Sequence, residues 1–185
     1  QIIDGADKVE IKGRKTHLIL SLKGRLSQVC DGKFNMPDGE VFAAPVDSSA
    51  NGYIYFEFPT NYQGILGREV KDIYLEFKHG QVVKAKASQN QKGLEKILKT
   101  DEGARRLGEF ALGTNYKIKR YFNNVAFDEK IGGTIHLALG QAFPEKEGGG
   151  KNRSAIHWDI VKDMRKTGSQ ILVDGKVILR DGKIN

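Results

Sequence analysis

The most informative local pattern in this chain is His157-Trp158-Asp159. On a β-strand alternate side chains share a face, so this imidazole and carboxylate would project together from Cα atoms about 7 Å apart, a span that can hold a metal ion. An aspartate that only orients a histidine has the same spacing. His136 lies in the run Gly132 to Gly140, whose other members are nearly all small or apolar. An imidazole placed there must satisfy its ring nitrogens or shed its charge, and it reads either as a neutral core histidine or as a ligand. Glu40 is delivered by the turn Pro37-Asp38-Gly39 to the entry of the apolar run 41–46, and Glu109 stands between Leu107-Gly108 and Phe110-Ala111-Leu112-Gly113. Burying either carboxylate costs on the order of several kcal/mol unless a cation compensates it; exposure at the end of an element avoids that cost. Asp128-Glu129-Lys130 adds a carboxylate beside an ammonium, which reads as an ordinary exposed ion pair or as a proton-transfer group next to a metal site.

Together Glu40, Glu109, His136, His157 and Asp159 supply three carboxylates and two imidazoles, each in or beside an apolar segment. Oxygen and nitrogen donors of this kind suit Zn²⁺, Mn²⁺ or Co²⁺, and there are enough of them for two ions about 3.5 to 4 Å apart, bridged by a carboxylate or a water. The lone cysteine, Cys30, excludes thiolate zinc sites, iron-sulfur clusters and an intrachain disulfide. Five residues scattered over the chain converge only if the fold brings them together.

Short apolar runs rich in β-branched and aromatic residues recur at 17–22, 40–46, 52–58, 71–77, 82–87, 134–139 and 155–160, and they predict strands. Lys78-His79-Gly80-Gln81 and Asp174-Gly175 separate pairs of such runs and predict hairpins, since glycine supplies the positive φ of a tight turn. Leu94, Ile97 and Leu98 at helical spacing predict a helix over 88–99, with Ser88 as its cap. A second helix is expected from Thr100-Asp101-Glu102 towards Glu109, and a short helical turn over 161–165. The glycine-rich stretch 144–153 predicts a loop. The expected fold class is α+β: a mostly antiparallel, bent or partly closed sheet with a few central helices.

The 185 residues, 39% hydrophobic and 29% charged, are those of a folding chain, and they suffice for one real core rather than two. No apolar run approaches the length of a membrane span, so no membrane partner is expected. The net charge of +7 is spread over the chain, with pairs such as Arg105-Arg106 and Lys119-Arg120 as its longest runs. Dispersed charge of this kind reads as a solvated surface, and no nucleic-acid partner is expected. The N-terminus lacks the pattern of a secretory signal, which together with the single thiol points to the cytoplasm. A start at Gln1 without methionine suggests a piece of a longer protein.

Four long strings in order, Asn35 to Val46 (NMPDGEVFAAPV), Thr100 to Asn115 (TDEGARRLGEFALGTN), Phe127 to Gly140 (FDEKIGGTIHLALG) and Gly149 to Asp163 (GGKNRSAIHWDIVKD), resemble the M29 metallo-aminopeptidases. The resemblance implies that residues 1–185 form a single C-terminal metal-binding catalytic domain of a longer, two-domain protein. It further implies two divalent ions, among Zn, Co, Mn and Mg, held by Glu40, Glu109, His136, His157 and Asp159. Implied too are peptide substrates, a cytoplasmic homodimer, and a tyrosine seven residues after the strand histidine, where this chain has Phe143. The expected activity is hydrolysis of N-terminal residues by activated water, with Glu109 or Glu129 handling the proton. The alternative is a catalytically incomplete fragment acting only as a metal-binding dimerisation or assembly module.

Overall fold

The computed structural model describes residues 2–33, 36–62, 67–144 and 149–185. Its strands form two sheets, and every pairing between them is antiparallel. The larger has the order β13 (Lys183–Ile184), β12 (Lys176–Arg180), β11 (Gln170–Val173), β1 (Val9–Gly13), β2 (Thr16–Leu20), β5 (Asn51–Phe56), β6 (Ile73–Lys78) and β7 (Gln81–Lys86). The smaller has the order β10 (His157–Asp163), β9 (Thr134–Gly140), β8 (Leu107–Gly113), β4 (Glu40–Ala43) and β3 (Gln28–Cys30). The single bent or partly closed sheet expected from sequence is therefore corrected to two open sheets. Helix is a minor component, and no described helix is long and apolar enough to cross a membrane.

Both expected hairpins are present. His79 and Gly80 between β6 and β7, and Asp174 and Gly175 between β11 and β12, all have positive φ, which matches the right-handed twist of the strands they join. Helix α1 spans Gln91–Leu98 and buries Leu94, Ile97 and Leu98. Its cap is Asn90, whose side chain accepts from the Gly93 amide, while the Ser88 hydroxyl donates to Lys71 O and Asp72 instead. The helix expected from Thr100-Asp101-Glu102 towards Glu109 is only a 3₁₀ turn at Gly103–Arg105. Asp101 Oδ1 accepts from Ala104 N and from the Ser154 hydroxyl, each at 2.8 Å, and Oδ2 accepts from Ala155 N at 2.8 Å, so this carboxylate ties the turn to the segment entering β10. The chain then enters β8, and the helical turn expected at 161–165 is the end of β10. A second helix, α2 (Val125–Asp128), has no counterpart in the periodicity.

Apolar residues of both sheets merge in one core: Ile54, Phe56 and Leu75 from the larger, Phe110, Leu137, Leu139, Trp158 and Ile160 from the smaller. Lys162, on the same side of β10 as Trp158 and Ile160, is buried and donates to Tyr55 O of β5 at 2.7 Å and to Glu57, which ties the small sheet to the large one. The small sheet therefore has one face against this core and the other free to carry chemistry.

Candidate metal centre

Pairing across the small sheet decides which residues share that second face. Phe110 and Leu112, Ile135, Leu137 and Leu139, and Trp158 and Ile160 point into the core. Their sequence neighbours Glu109 and Ala111, His136 and Ala138, and His157 and Asp159 alternate to the opposite side. Glu109 stands across from Ala138, which stands across from Asp159, so the two carboxylates flank one methyl group in a single row. Ala111, opposite His136, and Gly113, opposite Glu40, keep the next rows low.

Glu109 reaches this face through a bulge. Leu107 pairs with Leu139, but Glu109 pairs with Ala138, leaving Gly108 as the extra residue. Without that insertion Glu109 would fall opposite Leu137, inside the core. Gly108 has no room for a side chain, because a Cβ there would lie 2.4 Å from Gln141 O and 2.5 Å from Gly140 O.

The distances place all five sequence-selected donors in one cluster. Glu109 Oε1 lies 3.1 Å from His136 Nε2 and Oε2 lies 3.2 Å from His157 Nε2, so each carboxylate oxygen faces one imidazole. Glu40 Oε2 is 3.5 Å from His136 Nε2, and Asp159 Oδ1 is 3.4 Å from His157 Nε2. Two groups have ligand atoms all within 4.8 Å of one another: Glu40, Glu129 and His136, and Glu109, His157 and Asp159. Glu129, a candidate for proton transfer on sequence grounds, joins the first donor group. Of the two readings open for Glu129-Lys130, the exposed ion pair is excluded: Lys130 is fully buried, and its Nζ donates to Glu40 Oε1 at 2.6 Å and to Glu129. Nothing in the residues around Asp128-Glu129-Lys130 signals this burial; it follows from α2 and the adjoining turn, where Asn115 N donates to Lys130 O at 2.9 Å.

The electrostatics call for a cation. His157 Nδ1 donates to Gln141 O at 2.7 Å, and a carbonyl can only accept, so the neutral ring turns the lone pair of Nε2 towards two carboxylate oxygens. Acceptors so arranged repel unless a proton or a metal ion lies between them. Four carboxylates and one ammonium leave three negative charges when both imidazoles are neutral. With protons as the counter-charge, burial by itself would lower the His157 pKa, but the carboxylates of Asp159 and Glu109 lift it to about 11. His136 rises to about 9 by the same contest between burial and Glu109. Glu109, which burial alone would raise, is held down to about 2 by the two imidazoles. Burial pushes the Glu129 carboxyl above its ordinary value. Among the described residues, Asp159 Oδ1 and His136 Nδ1 are buried without a hydrogen-bond partner. Orphaned Oδ1, the negative excess and the Nε2 atoms aimed at carboxylates all fit divalent ions held by oxygen and nitrogen.

Phe143 lies at the edge of the cluster, its ring edge-on to that of His157 at 5.3 Å between centroids and 4.8 Å from that of Phe42. A cavity of about 140 Å³ adjoins Asp159 and is lined also by Tyr121, Val125, Asp128 and Val161.

Residues 4–184 match the family model of the thermophilic metalloproteases (M29). The chain is 36% identical over 166 residues to aminopeptidase 2 of Geobacillus stearothermophilus, covering 80% of this chain and 37% of that protein. It is 32% identical over 174 residues to aminopeptidase T of Thermus thermophilus, covering 82% of this chain and 41% of that one. The solved structure of wild-type AmpT from Thermus thermophilus superposes with a TM-score of 0.78 at 29% identity, over 97% of this chain and 50% of its own. A 2,5-dihydroxypyridine dioxygenase from Pseudomonas putida KT2440 shares the fold at a TM-score of 0.78 and 16% identity. The chain thus spans about two-fifths of the length of these curated relatives.

Proposed function

The chain belongs to the M29 family of thermophilic metalloproteases, and from that premise we propose that it is the C-terminal catalytic domain of a longer, two-domain aminopeptidase that hydrolyses the N-terminal peptide bond of peptides at a two-ion centre. The observation that carries this reading is Glu109, whose two oxygens face His136 Nε2 and His157 Nε2 at 3.1 and 3.2 Å within a buried cluster of excess negative charge. Glu40 and His136, with Glu129 beside them, would hold one divalent ion, and His157 with Asp159 the other, Glu109 facing both. Such ions, when bound, polarise a carbonyl and lower the pKa of water. A cytoplasmic homodimer, as the family resemblance implies, is part of the proposal.

Two carboxylates compete for the proton-transfer role, and their surroundings separate them. Glu109 has both oxygens facing imidazole nitrogens, at 3.1 and 3.2 Å, and would have them engaged by the two ions. Glu129, raised by burial, is better matched to accepting the proton of the attacking water near neutral pH and returning it to the leaving amine. Its hydrogen bond from Lys130 keeps it in place. An exopeptidase also needs an anion for the free α-amino group, which the metal-linked carboxylates would supply, and the 140 Å³ cavity beside Asp159 suits the first side chain.

A second reading, a metal-binding assembly module without turnover, is favoured by Phe143 and by the share of its relatives' length that the chain spans. Cleavage of leucine p-nitroanilide by the chain, with and without Co²⁺ or Zn²⁺, separates the two. Metal-dependent hydrolysis lost in Glu109→Gln supports the peptidase. Stoichiometric metal binding without hydrolysis supports the module, and absence of metal binding refutes both.

A further inference from the structure

The two donor groups differ in the cations that stand beside them. Lys130 is fully buried, and its Nζ bonds Glu40 Oε1 at 2.6 Å and Glu129, both members of the group that includes His136. Among the described residues no lysine or arginine lies within ion-pair distance of Glu109 or Asp159, whose partners there are imidazoles. One group is thus already partly neutralised by a fully buried ammonium, and the other is not.

We propose that Lys130 is a positioning residue that makes the two cation positions unequal, so that the Glu40–Glu129–His136 group holds a weak, exchangeable divalent ion and the Glu109–His157–Asp159 group a tight one. The inference rests on the two-ion reading and deepens it. An ion entering the first group must share Glu40 with the ammonium and sit within a few ångströms of its charge. At the effective dielectric of such sites that repulsion is worth at least about tenfold in affinity. The benefit to the fold is that Glu40 and Glu129 stay compensated when the ion leaves.

The test is a titration of the chelator-stripped chain with Co²⁺ against a chromophoric competing chelator, alongside thermal unfolding. The expected wild-type result is two classes of one ion each, separated by about tenfold or more. His157→Ala removes the tighter class and Glu40→Gln the weaker. Lys130→Met strengthens the weaker class by about tenfold and leaves the tighter within about twofold, while Lys130→Arg keeps the wild-type gap. Two classes of equal affinity, or a Lys130→Met chain whose classes weaken together as a merely structural lysine would require, overturn the inference and leave the two-ion reading standing. A chain that binds no Co²⁺ sinks the two-ion reading itself. Should Lys130→Met not fold, Lys130→Gln, which removes the charge but keeps a hydrogen-bond donor, decides: strengthening confined to the weaker class supports the inference, and no change or a loss in both classes overturns it.

Discussion

Gly108→Ala isolates the bulge that turns Glu109 towards the site. The added Cβ would lie 2.4 Å from Gln141 O, 2.5 Å from Gly140 O and 2.7 Å from Gln141 C, all backbone atoms that cannot rotate away. Relief needs a backbone shift of about 1 Å, and overpacking of this kind costs about 1–3 kcal/mol. For a chain of this size each kcal/mol moves Tm by about 2–4 °C, so a fall of about 2–12 °C is expected. The functional effect exceeds the thermal one, because Gln141 O is also the acceptor that orients His157 Nδ1 at 2.7 Å. One methyl group therefore disturbs both the strand carrying Glu109 and the carbonyl aiming His157. Co²⁺ binding by the Glu109–His157–Asp159 group should weaken by about tenfold or more, since misplaced ligands and their supports typically cost that much. Thermal unfolding of the metal-free chain and a metal titration on the same samples check the two effects. A variant with wild-type Tm and wild-type affinity refutes the role assigned to the bulge.

Glu109→Gln removes a charge that faces both imidazoles at 3.1 and 3.2 Å, so it should weaken both metal classes, where His157→Ala weakens one. Loss of one unit charge about 4 Å from a unit positive charge is worth about 4 kcal/mol at an effective dielectric of 20 and more for a divalent ion, so affinity should fall by at least about a thousandfold. Calorimetric titration reads this directly, and a variant keeping one ion at wild-type affinity contradicts it. Asp101→Ala cuts the three 2.8 Å bonds that join the 3₁₀ turn to the entry of β10 and should cost about 1–3 kcal/mol in urea unfolding. The amide of Ala155, with smaller help from Ser154 and Ala104, holds the Asp101 carboxyl below its ordinary 3.8. A lowered folded pKa stabilises above the unfolded value and is lost as pH falls below it. The wild-type advantage over Asp101→Ala should therefore be full at pH 6 and shrink below about pH 4, and a gap independent of pH refutes the assignment. Phe143→Tyr restores the hydroxyl implied by the family pattern beside His157 and should raise kcat on leucine p-nitroanilide by about tenfold with metal affinity unchanged; an unaltered kcat counts against a role for that hydroxyl.

The strands most readable in the chain are those with one face in the core and one towards water. In β6 and β2 buried and more exposed residues alternate, and the runs at 71–77 and 17–22 are recognisable for that reason. The segment Leu107–Gly113 is buried on both faces, so its polarity does not alternate, while Ala104 and Leu107 fall at helical spacing behind the cap-like oxygens of Thr100-Asp101-Glu102. That coincidence produces the expectation of a helix towards Glu109. Division into two sheets is equally illegible, since it depends on β4 pairing with β8 while β5 pairs with β2, and neither choice has a local signature.

The donors are legible for a different reason: each is a polar residue inside an apolar run, and burial there demands a counter-charge. His136 at 1% exposure and Glu109 at 3% meet that description, and both stand out in the sequence. Glu129 and Lys130 sit in a polar stretch where adjacent opposite charges usually remain in water, so nothing in the residues themselves announces that Lys130 is fully buried. What composition and pattern express is the need for compensation; which group answers it is a matter of register. A single inserted glycine moves Glu109 from the row of Leu137 to that of Ala138, from the core to the side where Asp159 and His157 wait. The chemistry of the site therefore turns on the pairing of β8 with β9, and a substitution that shifts this pairing should disable metal binding even with every donor still present.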